Sequence, residues 1–190
     1  MRWIARWGLA VLTTLMTAGT SWAGVNLVFN GGFEQGFAGW SVPPNAPPPQ
    51  GALFFVSTSG NAHEGSNFAH LSSWNLQFIS QVLPGTVAGT EYELEFWARY
   101  PGSVFGSSLI VRWEGQVAQA IPIGAGQHDD WSRFSVPLTA QFGGSLLEFG
   151  QAVFPGEIHI DTISVRQVPA PSAMPLLALG GLAAFRRRRR

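Results

Sequence analysis

The chain has no cysteine and no lysine among its 190 residues. Without cysteine there is no disulfide framework, no thiolate nucleophile and no thiolate metal ligand, so stability must come from an apolar core or a bound ion. Without lysine every basic group is an arginine, and seven of the eleven sit at the ends, as Arg2, Arg6 and Arg186 to Arg190. The span 24–167 keeps Arg99, Arg112, Arg133 and Arg166 against all eleven acidic residues, a net charge of −7. An acidic body repels phosphate backbones, which sets nucleic-acid binding aside. A sustained apolar period of 3.6 residues is also missing, so long amphipathic helices are excluded. No Gly-x-Ser-x-Gly elbow, phosphate loop or His-Glu-x-x-His pair occurs, which removes the commonest signatures of acyl transfer, nucleotide binding and zinc hydrolysis.

The two ends are processing devices. Arg2 and Arg6 flank a basic start, residues 9–18 are apolar, and Ser21-Trp22-Ala23 places small residues where a signal peptidase reads them, so cleavage between Ala23 and Gly24 is expected. At the other end Val168-Pro169-Ala170-Pro171 precedes an uncharged apolar run, 172–185, and five arginines. The run is shorter than the roughly 20 residues of a relaxed membrane span, but the arginines resist crossing and make it a transient stop-transfer element. A plain C-terminal membrane anchor is the competing reading.

This C-terminal order resembles the PEP-CTERM sorting signal of Gram-negative bacteria, with Val168, Pro169 and Pro171 in the box and Ala170 where that signal usually has glutamate. The resemblance implies an exosortase-type protease as partner, removal of the tail, and delivery to the cell surface or an extracellular polysaccharide matrix. The division expected is a signal peptide at 1–23, one domain at 24–167 and a sorting signal at 168–190.

Within the body, short runs rich in Val, Ile, Phe and Trp recur between clusters of Gly, Pro, Ser and Asn, which predicts an all-β domain. Strands are expected at 26–29, 52–58, 67–72, 76–83, 91–100, 107–114, 117–121, 131–138, 145–151 and 157–167. About ten strands in some 144 residues suit a two-sheet antiparallel sandwich or jelly roll. The clearest alternation runs from Glu91 to Arg99: Tyr92, Leu94, Phe96 and Ala98 share one face, and Glu91, Glu93, Glu95, Trp97 and Arg99 the other. Five prolines between Pro43 and Pro49 predict a stiff surface loop.

Asn30-Gly31-Gly32-Phe33-Glu34 with Trp40, then Gln81-Val82, Gly89-Thr90-Glu91-Tyr92 with Phe96-Trp97-Ala98-Arg99, Trp131 with Phe134, and the closing Ile160-Asp161-Thr162-Ile163 follow one another in an order that resembles carbohydrate-binding modules of the galactose-binding-like jelly-roll class. The resemblance implies a structural calcium where the first and last strands meet, with Glu34 and Asp161 at the matching positions. Two carboxylates and nearby backbone carbonyls can supply the several oxygens Ca²⁺ requires; Glu64 is a weaker third candidate. The alternative is that Glu34 caps a turn and Asp161 accepts backbone hydrogen bonds. The resemblance also implies that Trp40 and Trp131 are core residues.

A sugar site needs an aromatic face and polar groups beside it. Trp97 with Glu95 and Arg99, Gln81 on an expected neighbouring strand, and Trp74 among Ser72, Ser73 and Asn75 meet that need. The alternative is that Trp97 covers a loop and Trp74 packs at the domain edge. Glu93 and Glu95 lie about 6.5 to 7 Å apart by strand rise, a separation found in glycoside hydrolases, but alternating glutamates read better as a solvated face. His63, His128 and His159 are expected in solvated positions without zinc spacing. Two functions follow: an exported, non-catalytic protein that binds carbohydrate or exopolysaccharide, or a structural or adhesive matrix protein with no sugar site.

Overall fold

The computed structural model describes residues 24–45, 52–101, 107–123, 129–152 and 156–169. The signal peptide, Ala23, Ala170, Pro171, the apolar run and the arginines lie outside the described residues, as does most of the proline cluster.

Nine strands form, and no helix occurs among the described residues: β1 (Ala52–Ser57), β2 (Phe68–Ser73), β3 (Gln77–Leu83), β4 (Glu91–Arg99), β5 (Ser107–Trp113), β6 (Gln116–Ile123), β7 (Ser132–Thr139), β8 (Ser145–Ala152) and β9 (Ile158–Gln167). They make two antiparallel sheets, β1-β2-β9-β4-β7 and β3-β8-β5-β6. This is a jelly-roll β-sandwich. Each strand lies within two residues of an expected span.

The span 26–29 is not a strand. Asn26 turns its side chain back onto the chain, with Oδ1 accepting from the amides of Val28 and Val165, both at 3.0 Å. A side-chain acceptor thus replaces a ladder partner, as asparagine readily does. The following turn packs on β9 so tightly that a Cβ on Gly31 would stand 2.1 Å from the Ile163 carbonyl oxygen. Gly31 in turn accepts the Ile163 amide at 3.0 Å.

The core lies between the sheets. Tyr92, Leu94, Phe96 and Ala98 point inward from β4, as their alternation requires, and meet Leu109, Val111, Leu147 and Phe149 of the other sheet in one apolar cluster. Trp40 belongs to it, 5.5 Å from Phe33 and 6.3 Å from Phe149 by ring centroid. On the outer face of the four-stranded sheet the Arg112 guanidinium lies 4.1 Å above the Phe78 ring, which fills the space over Gly150.

β2 departs from simple alternation, because all six of its residues are buried. Trp131 and Phe55 cover its outer side at Phe68 and His70, so the five-stranded sheet carries a second, partly aromatic layer there. Trp131 belongs to that layer and not to the sandwich core. It is half-buried, donates from Nε1 to the Asn61 carbonyl at 2.9 Å, and packs edge-on against Phe68. The chain enters and leaves at one end: Gly24 lies beside Gln167, and the Val168 amide donates to the Glu91 carbonyl at 2.9 Å.

Candidate functional site

Trp97 sits at the centre of the outer face, opposite Asp161 of β9 and Arg133 of β7, with Glu95 opposite Ser164 and Ser135. The β4–β9 ladder slips between Glu95 and Trp97. On β9 that slip is a bulge at Thr162, whose φ of 51° is uncommon for a β-branched residue. Such strain persists where surrounding contacts enforce it, and here Asp161 and His63 do so.

Asp161 is completely buried. Its Oδ2 accepts the amides of His63 and Glu64 at 2.8 and 3.1 Å, and its Oδ1 accepts that of Thr162 at 2.7 Å. Burial pushes its carboxyl up to about 6 against the pull of those three amides, and the Glu34 charge adds to the rise. Glu34 acts on the next stretch of the same loop, accepting the amides of Ser66 and Asn67 at 2.7 and 2.9 Å through Oε1. Two carboxylates therefore fix the 63–67 loop as a wall standing on the sheet.

From that wall His63 lies flat on Trp97, ring centroids 3.8 Å apart and planes 16° from parallel, with Nδ1 2.9 Å from Thr162 Oγ1. Burial holds the imidazole below its ordinary pKa, Glu64 opposing. Between the wall, the 31–34 turn and strands β4 and β9 runs a cleft of about 590 Å³. Trp97, Glu95, Ser164, Arg166, Asn26 and Glu64 line it. A smaller recess of about 160 Å³ between Glu93, Glu95, Arg133 and Arg166 shares two of these residues.

Of the residues expected to touch sugar, Trp97 and Glu95 are in this cleft. Arg99 is on the same strand face but turns away, donating from Nε to His159 Nδ1 at 3.1 Å beneath Trp131. Gln81 is not a neighbour of β4, because the chain crosses the sandwich after β3 and puts β3 beside β8. Its buried amide clamps the backbone of Phe29, accepting from N at 2.8 Å and donating to O at 2.9 Å. Trp74 lies in the β2–β3 turn, 38% exposed and away from the cleft lining. His159 is not a solvated loop residue but a buried one on β9.

His63, Asn26, Ser164 and Arg166 were not foreseen. Ser164 and Arg166 share a face by strand alternation, and the Arg166 guanidinium donates to Ser164 Oγ at 3.0 Å, but only the sheet order brings them beside Glu95. Glu95 is ion-paired to Arg133, and Glu93 accepts from the Ser135 hydroxyl. Each is thus tied across the ladder.

Glu34 and Asp161 offer only hard oxygen donors and are close enough for the charge of one to raise the pKa of the other. A hard cation would relieve that repulsion, so the donor set fits Ca²⁺. The five amide hydrogen bonds match the turn-capping alternative and leave Glu34 Oε2 and further lone pairs for a cation.

No protein-family model matches this chain, and no curated protein sequence does. Solved structures do match. The CBM22-1 xylan-binding domain of Xyn10C from Paenibacillus barcinonensis aligns at 17% identity and a TM-score of 0.54, over 78% of this chain and 98% of that one. A family 16 carbohydrate-binding module aligns at 21% identity and 0.51, over 74% and 99%. TmCBM61, solved with β-1,4-galactotriose, aligns at 17% and 0.53, over 76% and 99%. The fold of this chain is that of carbohydrate-binding jelly rolls.

Proposed function

We propose that this chain is an exported, non-catalytic protein of the cell surface or extracellular matrix that binds a polysaccharide in the Trp97 cleft. The observation that carries the reading is the cleft itself. It joins an indole to the amide of Asn26, the hydroxyl of Ser164, the carboxylate of Glu95 and the guanidinium of Arg166, a combination suited to the apolar face and hydroxyl rim of a sugar ring. Likeness in fold to a xylan-binding domain and to a module solved with β-1,4-galactotriose supports it. Glu93 and Glu95 are held by cross-strand partners rather than set apart as acid and base, which supports a binding role over hydrolysis. Export rests on the N-terminal leader, cut before Gly24 by signal peptidase, and on the Val168–Pro171 box, read by exosortase-type machinery after transient membrane association. Calcium held by Glu34 and Asp161 would tie the 31–34 turn to β9 and so stiffen one side of the cleft.

A structural or adhesive role without sugar is the second reading, and one observation favours it: His63 already covers one face of Trp97. The test is titration of the full chain with xylan, galactan and the host exopolysaccharide, followed by calorimetry. Saturable binding that Trp97→Ala weakens about tenfold, the loss of about 1.4 kcal/mol of stacking, establishes the cleft. A folded chain that binds none of them moves the assignment to the adhesive reading.

A further inference from the structure

Outside the cleft, on the same outer face, His70 of β2 and His159 of β9 stand opposite each other in the ladder, and Glu157 reaches them from just before β9. His70 Nδ1 is 3.1 Å from His159 Nε2. Glu157 places Oε2 3.6 Å from the first and Oε1 3.5 Å from the second. Tetrahedral ligands about 2.0–2.1 Å from a zinc ion are about 3.3–3.4 Å from one another, so the three donors already have nearly the spacing of a first coordination sphere.

The surroundings suit ligation as well as the spacing does. Both rings are buried, and burial pushes His70 down to about 4 and His159 to about 3, the latter helped by the charges of His70 and Arg99. Phe55 stacks on His70 at 4.2 Å and Phe68 lies 4.6 Å from His159, which fixes the ring planes. Glu157 is the half-exposed member, its side chain 40% accessible, and gives the group an opening to solvent.

We propose that His70, His159 and Glu157 form a binding site for a divalent transition-metal ion of the zinc class, completed by water. Two imidazoles and one carboxylate are donors such ions prefer over calcium. The ion would join β2 to β9, the strand whose Asp161 holds the cleft wall.

The proton balance gives the site a signature. Arg99 donates to His159 Nδ1, so the neutral ring carries its own proton on Nε2, facing His70. Ligation through Nε2 requires the other neutral tautomer: the Nε2 proton leaves to solvent while Nδ1 takes one up, and Arg99 must swing away. Arg99 therefore opposes the metal through its hydrogen bond and its charge.

The experiment is titration of the metal-stripped full chain with Co²⁺, read by visible d–d absorption, followed by displacement with Zn²⁺. Saturation at one equivalent with tetrahedral intensity is expected. His159→Gln should weaken binding by about 100-fold or more, given that even outer-shell changes cost 10–100-fold, while His128→Gln should leave it unchanged. Because a buried histidine variant can lose its fold, the half-exposed Glu157→Gln is the parallel test, expected to weaken binding at least about tenfold with an unaltered circular dichroism spectrum. Arg99→Leu should tighten it. No saturable spectrum in the wild type, or wild-type affinity in a folded Glu157→Gln, overturns the site.

Discussion

Asp161 does two things that pull in opposite directions. Its burial favours the protonated acid, while three amides and any bound cation favour the carboxylate. Asp161→Asn keeps the shape but replaces one acceptor oxygen with an amide that must face a backbone N–H, so a loss of about 1–3 kcal/mol is expected in denaturant unfolding. That loss alone does not separate the capping role from calcium. Metal add-back does. After stripping with EDTA, Ca²⁺ should raise the melting temperature of the wild-type chain and leave Asp161→Asn unmoved. Zn²⁺ should raise both, because the histidine pair is intact in the variant. A wild-type melting temperature indifferent to Ca²⁺ would leave the two carboxylates as loop caps only.

At the scale of elements, the β5–β6 hairpin shows how local turn chemistry serves distant parts. Glu114 and Gly115 have φ of 51° and 78°, as a two-residue turn between twisted strands requires. That geometry aims the Glu114 carboxylate at the β7–β8 loop, where it accepts the amides of Gln141 and Phe142 and the Ser145 hydroxyl. Burial raises its pKa, but the Ser145 hydroxyl and the two amides outweigh burial and hold it below its ordinary value of 4.5. A lowered folded pKa stabilises fully above the unfolded value and loses that contribution as pH falls through the folded one. Glu114→Gln should therefore lower the melting temperature near neutrality, with the gap to wild type closing as pH falls below about 4.5, measured as melting temperature against pH. The alternation in β4 was legible from sequence because period two is a local signal. The sheet each strand joins was not, since it depends on long-range pairing; hence Gln81 was expected beside Trp97 and clamps Phe29 instead. His70 and His159 are 89 positions apart, and no local spacing announces a pair that only the β2–β9 ladder creates. Asn26 at the β9 backbone and Trp131 in the layer over the five-stranded sheet depart from their expected places for a related reason, because neither contact has a periodic signature.

Taken as a whole, the chain is neutral only because its ends carry seven arginines; the body between them is at −7. The cleft shares that bias, with Glu34, Glu64 and Glu95 around a single guanidinium, Arg166. Such a surface repels polyanions over a Debye length of about 30 Å at 0.01 M salt and about 8 Å at 0.15 M. A neutral xylan or galactan should therefore enter the cleft with little dependence on salt. A uronate-rich polysaccharide should bind there at least about tenfold more weakly at low salt, with the gap narrowing as salt rises. The five terminal arginines confound a direct comparison, because five successive positive charges attract any polyanion. Replacing Arg186 to Arg190 with serine separates the two: binding of acidic glycan should fall, and binding of neutral glycan should not. If the serine variant takes up acidic glycan at low salt as tightly as neutral glycan, its charges must be met outside this cleft. Arg112, poised over Phe78 on the opposite sheet, would then be the first residue to substitute.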